Sequence, residues 1–432
     1  MKKRATTAGA LMASVMLLAG ACGAGARSSA STTDATISLW TRDTQKEFIN
    51  QIVDAWNESH DTKVKVTIVP AANFVQKLAT TAASGNAPDV ASIDLVYLPY
   101  FASTGTLEDI TQLADDLPYK DGLSPSHRAL AVYNERTYAL PFTGDASVLF
   151  YNKELFEKAG LDPDRPPKNY ADIISAANKI SDLGPDIHGF AIAGQCGGCN
   201  VFEFTPHVWA SGGEVLSDDG TEALFDSQEV TDALTFYRRL YTDGTMPAQS
   251  RTDNGTHQPA AFLSGKVGMV PSGTFYSQVL KKDPDIDFGV TWLPGKNGGR
   301  SSFAGGDEIA VMKNGDNTAG GREFATWATG EQAQKVLADN GIAPVRNDLT
   351  DEIYVPLDPR NKLFAEALEA GRTPYSTVEH QLFNDNNGPW VQMINKAVFG
   401  GDIATAQKQG QEAAQAIIDR APQGTNSRGR SG

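Results

Sequence analysis

The spacing of apolar positions changes period several times along the chain. Thr36-Ile-Ser-Leu-Trp40 alternates, which predicts a strand with one face turned inward. Phe48, Ile49, Ile52, Val53 and Trp56 recur at helical spacing, so residues 43–58 read as an amphipathic helix. Val64-Lys-Val-Thr-Ile68 alternates again. Phe74 to Ala83 is helical and is stopped by Ser84-Gly85-Asn86-Ala87-Pro88, after which Asp89-Val-Ala-Ser-Ile93 reads as a third strand. Strand–helix–strand–helix–strand predicts a parallel sheet with helices on its faces. Ligands of such sheets bind beyond the carboxyl ends of the strands. Here those ends carry Thr41-Arg42-Asp43 and Asp94-Leu-Val-Tyr97.

Further on the pattern becomes discontinuous. Thr137-Tyr-Ala-Leu-Pro-Phe142 reads as a short strand, Thr143-Gly144-Asp145 interrupts it, and Val148-Leu-Phe-Tyr151 resumes. This break is the expected passage from one lobe to another. Helices are expected near residues 170–181, 230–242 and 259–263. Phe288-Gly-Val-Thr-Trp-Leu293 is expected to be the strand that crosses back, and Ile309-Ala-Val-Met312 another strand. Long helices are expected at 318–339 and 403–421. No internal repeat is visible.

The first segment bears on the compartment. Lys2, Lys3 and Arg4 precede an apolar stretch from Ala8 to Ala21, too short for a comfortable membrane span and ending in small residues, as an export signal does. Leu18-Ala19-Gly20-Ala21-Cys22 resembles a bacterial lipobox, with Ala19 where Leu is usual. Cleavage before Cys22 would leave a cysteine able to carry lipid, and two or more acyl chains give stable anchoring. Residues 1–21 are thus expected to be a signal peptide, and 22–35 the lipidated cysteine with a flexible tether of small polar residues. Residues 422–432 read as a disordered tail. Between these lie about 390 residues, enough for two lobes.

The formal charge is −15, and loss of Lys2, Lys3 and Arg4 with the signal takes it to −18. An acidic surface argues against nucleic acid or anionic lipid as the main partner. Cys196-Gly197-Gly198-Cys199 is the remaining cysteine pair. Export favours a disulfide there. A thioredoxin-like reading would want the first cysteine at a helix N-terminus after a strand. With two central glycines and no amphipathic run following, the pair reads as a small staple in a loop.

Several segments in fixed order carry a resemblance over almost all of the chain after the tether. They include Ile37–Trp56, Ala83-Ser-Gly-Asn-Ala-Pro-Asp89-Val90, Tyr138-Ala-Leu-Pro141, Leu149-Phe-Tyr-Asn-Lys-Glu-Leu-Phe156, Gly160-Leu161 and Pro166-Pro167. Ala210-Ser-Gly-Gly213, Phe262-Leu-Ser-Gly-Lys-Val-Gly-Met269 and Gly305-Gly306 complete the series. Together these resemble the maltose-binding-protein-like sugar-binding lipoproteins of bacterial ABC importers. The resemblance implies an α/β, two-lobed periplasmic-binding-protein-like fold of type II, with the ligand cleft between discontinuous lobes. The implied lobes are 36–143 with about 286–338, and 144–285 with about 339–421. It also implies lobe closure on a small carbohydrate and docking on the transmembrane subunits of an ABC permease. The expected protein is a monomer that touches the membrane only through its lipid, carries no cofactor and is not an enzyme.

Carbohydrates present hydroxyls and flat C–H faces, so a site needs carboxylates or amides together with aromatic rings. Asp43 follows the first strand at a cleft position, although it also stands where a helix N-cap belongs. Asp94 ends the third strand with Tyr97 close by. Asp145 lies between the lobes, where the family carries an acidic residue on the sugar, and where a hinge turn would equally want Gly144-Asp145. Phe275 and Tyr276 follow Pro271-Ser-Gly-Thr274, which matches a family loop that places an aromatic ring, usually Trp, on the sugar. Trp390 matches another stacking position, after Asn386-Asn-Gly-Pro389. Gly306 would let backbone approach a ligand, and Asp307 could accept a hydroxyl. Phe202 and Phe204 are weaker candidates.

An exported glycosidase is the rival of another class, and among 52 acidic residues a catalytic pair is easily found. No G-x-S-x-G, HExxH or P-loop occurs, and the six histidines form no metal spacing. Asp283-Pro-Asp-Ile-Asp287 lacks the glycine and closing Glu of a calcium loop. A phosphorylated polyol such as glycerol phosphate is the other alternative ligand. It would want several cations, whereas the candidate set contains only Arg42.

Overall fold

A computed structural model describes residues 36–421. The signal segment, Cys22, the tether and the tail lie outside the described residues. Seven strands build one sheet: β1 (Ile37–Arg42), β2 (Val64–Val69), β3 (Val90–Asp94), β4 (Ala139–Asn152), β5 (Met269–Gly273), β6 (Phe288–Thr291) and β7 (Ala304–Val311). The order is β2-β1-β3-β7-β4-β5, with β6 also on β4. β1 pairs in parallel with β2 and β3, and β7 runs antiparallel to both β3 and β4.

The alternation read in the sequence is the alternation of two cores. Ile37 and Leu39 of β1, Val90 of β3, and Ile309 and Val311 of β7 face one apolar cluster, with Phe48, Ile49, Ile52, Val53 and Trp56 of helix Lys46–Ser59. Ala91, Ile93, Ala310 and Met312 face the other, with Phe74 and Leu78 of helix Ala71–Ala83. Successive side chains point to opposite faces of a strand, so a sheet covered on both sides buries both sets.

β4 differs from the expectation of a broken strand. It runs unbroken for 14 residues. Its first part pairs with β7, and its second part lies between β5 and β6. Beyond Asp145 its residues feed two other cores: Ala146, Val148 and Phe150 one, Leu149 and Tyr151 the other. Gly144 does not turn the chain. Its N–H donates 2.9 Å to the Ala343 carbonyl, and the backbone stays extended because neighbours on both sides hold it. Phe288–Thr291 is not the returning strand. It pairs with Leu149–Asn152 of the second half, and the chain returns through β7, with a register shift between Asp307 and Glu308. The helix expected at 318–339 is two helices, Thr318–Ala328 and Glu331–Asp339, separated at Gly330.

Candidate functional site

A cavity of about 550 Å³ opens where β1, β3, β4, β5 and β7 end or cross. That volume lies in the usual range of small-molecule sites.

One wall is an ionic network in which Arg42 Nε stays buried without a partner. Arg42, at the carboxyl end of β1, donates from Nη1 to Asp94 Oδ2 at 2.8 Å, and from Nη2 to Asp307 Oδ1. The second oxygen of Asp307 accepts from Gln45 Nε2 and, at 2.7 Å, from Ser92 Oγ. Asp307 is only 1% exposed, and both its oxygens are taken by protein donors. Burial works against the Arg42 charge, but Asp307 and Asp94 outweigh it and hold the guanidinium above its ordinary pKa. Burial raises the Asp94 carboxyl, with Arg42 opposing. Asp94 also caps the following turn through Oδ1, at 3.4 Å from Val96 N.

The facing wall is open. Asp145 accepts through Oδ1 from Ala146 N at 2.9 Å, Thr274 Oγ1 at 2.6 Å and Phe275 N at 3.3 Å. These donors favour the ionised form, yet burial dominates and pushes the carboxyl up to about 6. Oδ2 points across Gly273, where a Cβ would sit 2.6 Å from it. The same missing side chain gives room to Phe275, which is 53% exposed and lines the cavity. Phe202 lies against Gly305, where a Cβ would come within 2.6 Å of its ring, and packs on Phe303 with centroids 4.9 Å apart. Glu203, from the same helix, lines the cavity and accepts from Gln258 Nε2 at 3.2 Å. Burial holds its carboxyl well above the ordinary range.

The structure thus brings together Asp94, Asp145, Phe275, Gly306 and Asp307. Two of these have other duties than expected. Asp307 is 1% exposed and is held by Arg42, Gln45 and Ser92, so its charge is engaged inside the protein. Gly306, at φ +122, permits the close crossing of β7 over Thr143, whose carbonyl a Cβ would strike.

Four other candidates stand elsewhere. Asp43 Oδ1 accepts from Ala71 N at 2.9 Å, so it caps the second helix rather than the first and lies outside the cavity lining. Tyr97 is linked to His380 Nδ1 at 3.1 Å, beyond the cavity wall. Tyr276 is 2% exposed, donates to the Pro259 carbonyl at 2.6 Å and meets Phe150 edge-on. Trp390 is fully buried among Phe204, Phe225 and Phe383. Its loop-like prefix is in fact a helix start: Pro389 takes the first position of helix Pro389–Phe399, and the next residue falls on the inward face.

Gln45, Thr143, Glu203, Ile342 and Asn384 were missed as cavity-lining residues. The readable signal for Glu203 was its place beside Phe202, one turn past the cysteine pair. Nothing local marked Ile342 or Asn384. The cysteine expectation also changes form. Cys196 and Cys199 are bonded, and Cys196 caps helix Gly197–Glu203 rather than lying in a loop.

The cleft lies at strand ends, is crossed by the β4–β7 pair, and is lined by acids and aromatic rings, the form of a small-molecule binding site. Residues 42–335 match the family model of the bacterial extracellular solute-binding proteins, and the chain belongs to that family. A putative binding protein of Brucella abortus is 30% identical over 58% of this chain, which spans 60% of that relative's length. The diacetylchitobiose binding protein DasA of Streptomyces coelicolor is 24% identical over 87% of this chain and 88% of its own. Among solved structures, the GacH receptor of Streptomyces glaucescens, studied unliganded and with acarbose, superposes with a TM-score of 0.79 at 22% identity. It covers 90% of this chain and 100% of that one. The fold is therefore the two-lobed, type II periplasmic-binding-protein-like architecture. Among the described residues no helix is long and apolar enough to cross a membrane, and no group of acids, histidines and cysteines could hold a metal ion.

Proposed function

We propose that this chain captures a neutral carbohydrate, from mono- to oligosaccharide, by closing two lobes on it, and presents it to the transmembrane subunits of an ABC importer. The observation that carries this reading is the contrast between the two walls. Among the described residues lining the cleft Arg42 is the one cation, and two carboxylates already match its charge, so an anionic ligand meets no net positive charge. Asp145, the open ring of Phe275 and the part-buried ring of Phe202 offer acceptors and stacking faces at the cavity, as a sugar wants. The relative DasA is a diacetylchitobiose binding protein, and the structurally similar GacH receptor was studied with acarbose. β4 and β7 would serve as the hinge, with lobes 36–143 plus 304–338 and 144–303 plus 339–421. A ligand touching both favours the closed state by its differential affinity.

The test is calorimetry against glucose, mannitol, maltotriose, N,N′-diacetylchitobiose, a galactobiose and glycerol 3-phosphate, followed by recovery of the ligand. One-to-one binding of an unaltered neutral sugar is expected. Binding of glycerol 3-phosphate alone, or cleavage of a bound glycoside, would overturn the reading. We also place the protein outside the cell as a monomer, held at the membrane by lipid on Cys22. Cys22→Ala should move it from the membrane fraction to the soluble one.

A further inference from the structure

We propose that the Cys196–Cys199 disulfide is a positioning element of the cleft, holding Phe202 and Glu203 where the ligand meets them; this rests on the carbohydrate reading above. Cys199 itself lines the cavity, and Phe202 and Glu203 follow it by three and four residues, on the same face of the helix. Helix Gly197–Glu203 spans only 7 residues, a length that is marginal without external support.

That support converges on its first turn. Cys196 Sγ accepts from Cys199 N at 3.1 Å. Gly197 N donates to Asn386 Oδ1 at 2.8 Å, and Gln195 Nε2 to the Asn386 carbonyl at 2.9 Å. Asn200 Nδ2 donates to the carbonyls of Ala193 at 3.0 Å and Cys196 at 2.7 Å. The bridge rests on Gly255, where a Cβ would come 3.0 Å from Cys199 Sγ. A bridge across so short a loop removes little entropy from the unfolded chain. Its effect therefore falls on local order: a preorganised ring and carboxyl lose less freedom when a ligand arrives.

The test uses the full chain with Cys196→Ser/Cys199→Ser. Serine keeps a cap acceptor, so the variant removes the covalent link and leaves the cap. Faster amide exchange confined to residues 197–204 is expected in the unliganded protein. Affinity for whichever sugar of the panel binds the wild type should fall about tenfold, the cost of ordering one or two side chains. In a Phe202→Ala/Glu203→Gln background, loss of the bridge should cost nothing further, an outcome that a general stabilising role would not produce. Unchanged exchange, unchanged affinity or fully additive losses would each overturn the proposal.

If no panel sugar binds the wild type, the carbohydrate reading fails, while the exchange measurement still decides whether the bridge orders the helix. Should the double variant fold poorly, the wild type is compared before and after reduction by a water-soluble phosphine. There the S–S bond gains two electrons and two protons while the phosphine becomes its oxide. The same outcomes then apply.

Discussion

Asp307 and Asp145 sit on neighbouring strands, two rungs apart in the β4–β7 ladder, and they could hardly be used more differently. Asp307 faces Thr143 across the ladder and is closed off by Arg42, Gln45 and Ser92. Asp145 faces Gly305 and lines the cavity, with Oδ2 lying over Gly273. The first carboxylate is structural, because its charge is consumed inside the protein. The second is available, because its donors all converge on one oxygen. Availability, rather than residue type or position at a strand end, separates a wall from a binding group. Trp390 and Phe275 repeat the contrast in aromatic form: one ring fills a core, the other lies half in the cavity.

The sharpest way to break this comparison is through stability. Asp307→Ala leaves Arg42 beside a single carboxylate and should cost ~3–5 kcal/mol in denaturant unfolding, as removal of one partner of a buried pair does. Trp390→Ala should cost ~3–5 kcal/mol by cavity formation. A small stability change with a large loss of affinity at either position would reverse the assignment. Next, Asp145→Ala should weaken sugar binding by ~1.5–3 kcal/mol, the range for a hydrogen bond to a charged group, and should lower stability by about 1–3 kcal/mol because the Ala146, Thr274 and Phe275 donors lose their acceptor. Phe275→Ala should weaken it by ~1–2 kcal/mol through lost stacking. Equal affinity in a folded variant would remove that residue from the site.

The pH response sharpens the comparison further. Burial pushes the Asp145 carboxyl up to about 6, and its ionised form is the stronger acceptor for hydroxyl donors. Affinity should therefore be level above that pH and fall below it, by at most about tenfold per pH unit. Asp145→Asn should flatten the profile. The stability sign is opposite: the folded state keeps a proton that the unfolded chain has released. This group's contribution thus declines as pH rises from the ordinary carboxylate range to about 6, and is constant above.

Much of the fold was legible because it depends on local period. β1, β2, β3 and the first helices follow directly from alternating and helical spacing. What was lost depended on distant partners. Thr143-Gly144-Asp145 looked like a break, since Gly and Asp favour turns. Only the flanking strands, far away in sequence, keep it extended. Arg42 and Asp307 are 265 positions apart, so nothing near either marked the pair as closed. Trp390 is hidden for a more local reason: Gly-Pro reads as loop, yet proline equally well opens a helix. Of the candidate set, Asp145 and Phe275 stand as proposed ligand contacts, while Asp307 is engaged by protein donors and Gly306 by the close approach of Thr143.

The uninterrupted Ala139–Asn152 strand has one more consequence, for how the molecule comes apart. Its residues enter four separate apolar clusters, and its edges are occupied by chain from both sides of the cleft. Neither half can melt without stripping partners from a strand the other half needs. Heat should therefore unfold the chain in a single cooperative transition, not lobe by lobe. A bound ligand that raises the midpoint should raise it for the whole chain at once.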